Sequence, residues 1–524
     1  MISIATIANH TRKAQPNPRP SRVLALVAFA AAAFAAFGTP AQAQQRDSLT
    51  IAYPVDVQSW DPTSVTFPAG QSIYKSVFDS PLHYSADLKL SPRLILEWKW
   101  LDKDAKRLEV TLRDDVFFHD GSKLTTEDLK FSLADRPQQD RKLAIAGMMP
   151  DLASVEILSP TKAVIVYSKT TPAAPIYFGF LSGYILPKAY FLKVGEEGFR
   201  AKPVGAGPYK VVDYQRGSRI VLEAFDKYWG GAPKIKRVTF EIIPEPSARV
   251  AAIESGRVDI ASQVPLRETV RLASKPRLVG KAYPYSEVYM MQIPSYVPVF
   301  QDENLRTAMH LAIDKRALSK AFYNGVALPL SVIAPPNTPG FVPNYTFPYN
   351  RARAAELLKK SGYSADKPAR IKLLTTNGTF PNDYEMARAI AGMWKQVGID
   401  AEIEELTVAK YLELNHSTKL TGVVLYSWAN ATGDPENYTG RILDPKLRFS
   451  AWKSPEVGVE IELLLREADN DKRMAGYRKL NKEASEHTWT LPLLQAVSTI
   501  VYKSDVDVKL YESGYILPAE YSRK

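Results

Sequence analysis

Apolar positions along this chain follow two periods. Residues 48–52 and 108–112 alternate apolar with polar side chains, the pattern of half-buried strands. Apolar residues recurring every three or four positions predict helices over 72–78, 304–322, 351–360, 385–397, 455–470 and 471–487. Asn324-Gly325 closes the second of these, and Gly362 and Gly398 stop the next two. Strands are predicted at 220–223, 238–243, 258–260, 371–375, 399–404 and 491–502. From residue 289 onward helices and strands alternate, which predicts a substantially parallel α/β arrangement.

The stretch before that differs in texture. Residues 84–189 hold short β segments and punctuating turns. His119-Asp120-Gly121 predicts a turn with the histidine on the surface, Thr125 predicts a helix N-cap, and 155–167 predicts a hairpin about Ser159-Pro160. This is the pattern of a small α+β unit. Pro203-Val204-Gly205-Ala206-Gly207-Pro208-Tyr209-Lys210 predicts a rigid turn, with glycines admitting unusual backbone angles and prolines fixing others.

One stretch organises the rest. Val423-Val424-Leu425-Tyr426-Ser427-Trp428 is a buried-strand pattern ending on tryptophan, and Ala429-Asn430-Ala431-Thr432-Gly433-Asp434-Pro435 is a polar loop. Ligands of open α/β sheets bind beyond the carboxyl ends of strands. Trp428 is therefore either a core residue before an ordinary turn or one wall of a ligand site, and the local pattern leaves both open.

Composition narrows the function classes. Arg12, Lys13, Arg19 and Arg22 precede an apolar run over 23–37, a break at Gly38-Thr39-Pro40, and Ala41-Gln42-Ala43. This is the pattern of a secretory signal peptide over 1–43, and about 15 apolar residues fall short of the roughly 20 that a bilayer span needs. There is no cysteine, which excludes disulfides, thiolate metal sites, cysteine nucleophiles and a lipid anchor at the cleavage site. The formal charge of +11 loses the leader's four positive charges on cleavage. The remaining basic residues are dispersed, with Lys234-Ile235-Lys236-Arg237 the densest cluster, so nucleic acid is not an expected partner. No two of the six histidines stand at metal-ligand spacing, and neither a nucleophile elbow nor a phosphate loop occurs. A secreted hydrolase would need a nucleophile or metal that this sequence does not offer. No cofactor and no enzymatic activity are expected.

An exported chain of this kind suits binding a small molecule, and here the motifs resemble a known family. Leu49-Thr50-Ile51-Ala52 through Ser59-Trp60-Asp61-Pro62, residues 116–131, Pro203 to Tyr209, Tyr228-Trp229, and Ser255-Gly256-Arg257-Val258-Asp259-Ile260 match in order. So do Asn304-Leu305-Arg306-Thr307-Ala308, Ala312-Ile313-Asp314, Ser361-Gly362-Tyr363 and Gln396-Val397-Gly398-Ile399. The chain resembles the extracellular solute-binding proteins of the dipeptide/oligopeptide type (family 5), components of ABC importers.

The resemblance implies an α/β, two-lobed periplasmic-binding-protein fold (type II, cluster C-like) with an extra small α+β domain and a hinge. Lobe I would comprise 44–83, 190–287 and 489–524, the extra domain 84–189, and lobe II 288–488. Strands near 285–293 and 491–495 would cross between the lobes. It further implies a periplasmic monomer that closes on a small-molecule ligand and docks on an ABC permease in the inner membrane. The implied ligand-binding residues are Tyr426, Trp428, Asn430, Ala431, Thr432 and Asp434, with Gln58, Ser59 and Trp60 from the first loop. In peptide-binding relatives an aspartate three residues after the tryptophan pairs with the peptide ammonium, and this sequence has Ala431 there. Peptide or peptide-like cargo is the expectation, with a sugar or an opine-like conjugate as the alternative.

Overall fold

The structure is a computed structural model that describes residues 47–66, 68–181 and 183–524. The expected leader lies outside the described residues. Ten strands form one mixed sheet. Its order is Ile399–Glu405, Ala369–Thr375, Val423–Ala429, Leu278–Gln292, Thr490–Lys503, Ile260–Ser262, Ser48–Tyr53, Arg237–Ile242, Arg219–Ala224 and Tyr209–Gln215. The first three strands are parallel to one another, and Ser48–Tyr53 is parallel to both of its neighbours. All other pairings are antiparallel.

The two central strands, Leu278–Gln292 and Thr490–Lys503, are far longer than the rest and run antiparallel along each other. Their pairing is regular from Leu278↔Lys503 to Pro284↔Val497, slips between Pro284 and Val288, resumes at Val288↔Gln495, and shifts once more between Tyr289 and Met290. Proline lacks a donor for the ladder and bulges form where pairing slips, so the ladder is interrupted here.

Apolar cores form on either side of that slip. One gathers Tyr289, Met291, Leu305, Leu373, Trp394 and Leu425. Another gathers Leu49, Ile51, Trp60, Tyr74, Phe240 and Tyr502. Residues 95–167 contribute a separate four-stranded antiparallel sheet, ordered Ile95–Trp100, Arg107–Leu112, Lys162–Tyr167 and Leu152–Ser159, with its own core around Leu108, Phe118 and Ile165. Thr125 caps the helix Thr126–Lys130, and its own backbone N–H donates to the Asp128 carboxylate.

Three expectations need correction. The helix expected over 304–322 is two helices, Glu303–Leu311 and Lys315–Tyr323, because Asp314 caps the second by accepting from the Ala317 N–H. His119 is only partly exposed. Its Nδ1 accepts from the Gly205 N–H at 3.2 Å and its Nε2–H donates to the Gly207 carbonyl at 3.0 Å, so it ties the 95–167 unit to the Pro203–Lys210 turn. Burial lowers its pKa to about 4, which keeps the ring neutral for both bonds. Gly205 and Gly207 serve close approach, not unusual angles: a Cβ there would lie 2.1 and 2.5 Å from the backbone of Val77.

Candidate ligand-binding site

Burial along Val423–Ala429 falls from buried at Val423, Val424 and Leu425 to exposed at Ala429, so the strand enters the core at one end and leaves it at the other. Tyr426 and Trp428 lie on the same face, as their even spacing requires. Both are half-buried. The Tyr426 ring packs 4.6 Å from Tyr411, and the Trp428 ring meets Phe449 edge-on at 6.1 Å. The Trp428 indole N–H donates to the Asn437 carbonyl at 2.7 Å, anchoring the loop that follows. Burial raises the Tyr426 hydroxyl to about 12, so it stays a neutral donor.

The loop is organised from within. Asn430 is fully buried, and its Oδ1 accepts from the Thr432 N–H (2.9 Å), the Thr432 hydroxyl (2.5 Å), the Gly433 N–H (3.1 Å) and the Asn437 amide (3.1 Å). Its own amide donates to the Asp434 carbonyl at 2.9 Å. Asp434 caps the short turn Pro435–Asn437 and accepts two bonds from Arg473, at 2.6 and 3.0 Å. Gly433 has φ +69, a backbone state that favours glycine.

The same loop reaches the 84–189 segment. Ala431 is 8% exposed and packs within the cluster of Leu82, Tyr84 and Leu181. The Tyr177 hydroxyl donates to the Glu436 carboxylate. Farther along, Arg466 donates to the Thr170 carbonyl at 2.6 Å and to Asp151 at 3.3 Å.

The first loop stands apart from this group. Gln58 is exposed. Ser59 accepts on its carbonyl from the Tyr74 hydroxyl at 2.7 Å, and its hydroxyl accepts from the Asp61 N–H at 3.1 Å. Trp60 is 4% exposed, meets Tyr214 edge-on at 5.4 Å and belongs to the core around Ser48–Tyr53. The two tryptophans thus sit in separate cores, and Tyr426, Trp428, Asn430, Ala431, Thr432 and Asp434 form one cluster without the 58–60 group.

Sequence reasoning passed over one residue, Glu287. It pairs in register with Ala429, on the strand beside Trp428. Its carboxylate accepts from the hydroxyls of Tyr285 and Ser427, and burial raises its pKa. Its one trace in the sequence is a single acid inside Tyr285-Ser286-Glu287-Val288-Tyr289-Met290-Met291, a largely apolar and aromatic strand. No group of three or more potential metal ligands occurs among the described residues.

A cavity of about 560 Å³ lies elsewhere, lined by Lys75, Asp79, His83, Arg93, Trp229 and Glu520. None of the residues expected at the ligand site lines it.

Against this geometry, the family model of the bacterial extracellular solute-binding proteins, family 5 Middle, matches residues 89–447. The chain belongs to that family. Among its relatives, the dipeptide-binding protein of Escherichia coli (strain K12) is 25% identical over 454 residues, covering 80% of this chain and 83% of that protein. The nickel-binding periplasmic protein of the same organism is 25% identical over 512 residues, covering 91% and 94%. The solved structure of the ABC transporter-associated periplasmic binding protein DppA from Helicobacter pylori, in complex with the peptide STSA, superposes with a TM-score of 0.76 at 21% identity, covering 92% of this chain and 99% of that one. The fold is that of the type II periplasmic binding proteins of family 5.

Proposed function

We propose that this family 5 chain captures a peptide-class solute outside the cytoplasm and presents it to an ABC importer. In this reading residues 44–83, 190–287 and 489–524 form one lobe, 288–488 the other, and 84–189 an accessory domain beside the first. The two long central strands are the hinge, and the register slip at 284–288 is where they flex. One observation carries the reading. The loop after Trp428 leaves the sheet beside the crossing strands and, through Ala431 and Glu436, touches the 84–189 segment. A loop shared by both sides of a hinge is placed to sense closure, and closure is biased by contacts made only in the closed state. The names of relatives, which include dipeptide-, glutathione- and nickel-binding proteins, support a small solute, and peptide cargo is the reading that fits most of them.

The export pattern at the N-terminus and the periplasmic relatives support a periplasmic location. Thermal-shift measurements test the proposal with dipeptides, tripeptides, N-acetylated peptides, sugars and opine-like conjugates. A peptide present at 100 times its Kd should add about 2.7 kcal/mol of stability. No shift with any class at millimolar concentration would overturn it. A response to sugars or opine-like conjugates alone would keep the device and change its cargo.

A further inference from the structure

Three carboxylates stand near the open end of the Val423–Ala429 strand, and two have strong partners. Asp434 holds Arg473. Glu436 takes the Tyr177 hydroxyl, with Arg441 at 3.9 Å. Glu287 has only hydroxyl donors, Tyr285 and Ser427, and no basic side chain pairs with it among the described residues.

Its surroundings are aromatic. Side chains alternate along a strand, so Tyr285, Glu287 and Tyr289 share one face, and Ser427, opposite Tyr289, shares it too. On that face the Tyr289 ring stacks on Phe380 (centroids 4.6 Å apart, planes 18° apart) and on Tyr323 (5.6 Å, 28°). The hydroxyls of Tyr289 and Tyr323 are bonded to each other, and Tyr323 donates onward to the Pro381 carbonyl at 2.6 Å, so these groups do not stand free to solvate the acid. Tyr285 is held from the other side: its carbonyl accepts from Gln495 at 3.1 Å and its ring packs against Gly514.

A carboxylate and aromatic ring faces share one preference. Both attract a cation and both penalise an anion. Glu287 is half-buried and its cross-strand partner Ala429 is exposed, so a group arriving between the lobes reaches it. The acid also lies within the 284–288 slip, at the pivot of the crossing strands.

We propose that Glu287 is the counter-charge for a cationic group of the solute, a protonated amine, bound beside Tyr285 at the end of the strand pair where Ala429 is exposed. The inference rests on the solute-binding reading above and names the chemistry that reading leaves open. Because the pairing forms at the pivot, the charged contact is made where the lobes join.

The amine is either the terminus of a peptide or the end of a side chain, and calorimetry with matched probes separates these. The set comprises alanyl-leucine, trialanine, their N-acetylated forms, N-acetyl-alanyl-lysine, and the pair phenethylamine and phenethyl alcohol. Wild-type protein should bind the amine member of at least one matched pair at least tenfold more tightly than its blocked or hydroxyl counterpart. Glu287→Gln should abolish that preference while leaving the weaker blocked probe unaffected. Glu287→Asp should retain part of the preference, and Tyr285→Phe, which removes a donor but no charge, should retain most of it. Melting curves of each variant confirm folding. A preference that survives in Glu287→Gln, or a tightest probe that carries no cationic group, overturns the inference and leaves the solute-binding reading standing. Failure of every probe, together with no thermal shift in the wider screen, removes both.

Discussion

Asp434 and Glu287 sit at the end of the same strand pair and answer to opposite rules. Asp434 is matched: two bonds from a nearly buried arginine, a turn to cap, and a loop whose polar atoms satisfy one another. Glu287 is unmatched, with two hydroxyl donors and no counter-ion. The residues of the 430–437 loop look functional in sequence because they are polar and follow a tryptophan, yet most of their bonding capacity is spent on shaping the loop. A binding group is better recognised by the partner it lacks than by its polarity. The loop has a fixed shape, and in the proposed reading the crossing strand contributes the charge.

Substitutions can break this comparison at graded cost. The largest effect should come from Asp434→Ala. It strands the Arg473 guanidinium, whose side chain is only 4% exposed, and should cost about 3–5 kcal/mol in urea unfolding. If the loss is under about 1 kcal/mol, the loop is not held as described. Next is Ala431→Asp, which puts a carboxylate among Leu82, Tyr84 and Leu181; we expect a loss of about 1–3 kcal/mol by the same measurement, and no gain of amine-bearing ligands.

Glu287→Gln should act in the opposite direction and more weakly, stabilising the ligand-free protein at neutral pH. A carboxyl whose folded pKa lies above its unfolded value destabilises the fold once deprotonated. The unfolded chain binds fewer protons between those two values, so wild-type stability falls as pH rises through that window. The advantage of glutamine should therefore grow as pH rises through that window and vanish below the ordinary glutamate range. The groups that couple to this acid are Tyr285, Ser427, Tyr289, Tyr323, Tyr426 and Tyr438, none of them basic. Melting curves of both proteins from pH 3 to pH 8 check the sign. Smallest is Arg466→Ala, which removes a partly exposed bridge to Asp151 and the Thr170 carbonyl. It should cost no more than about 1 kcal/mol, and its effect should appear as a few-fold loss of ligand affinity that shrinks in high salt.

The alternation of strands and helices was legible because periodicity reports burial directly. The Asn350 cap of Arg351–Lys360, the Thr125 capping box and the Asn324 terminus follow local rules and are visible in a few residues. What escaped depends on contacts between distant segments. His119 reads as a turn residue until Gly205 and Gly207 are brought against it, and those glycines read as flexible until Val77 is seen to fill the space of a Cβ. The split of the 303–323 helix was hidden because apolar periodicity continues across it while the Asp314 cap interrupts the backbone. At the site, sequence pointed to the strand ending on Trp428 but not to which polar groups were already spent, since the bonds of Asn430 depend on how the loop folds back. Glu287 needed its strand neighbours to gain meaning, because a lone acid is ordinary until its surroundings are known to be aromatic and without a counter-ion.

The central position of Thr490–Lys503 also has a consequence for how the molecule is made. This strand, near the end of the chain, lies between Leu278–Gln292 and Ile260–Ser262, and so joins the two halves of the sheet. Beyond it, the Ile516 N–H donates to the Ser72 hydroxyl across 444 positions of sequence. A chain emerging from the ribosome therefore carries two half-sheets with open edges until its last segment arrives, and contacts of such long range are slow to form. The finished fold waits on the final few dozen residues. A truncation that removes Thr490–Lys503 should therefore take away the centre of the sheet instead of its edge.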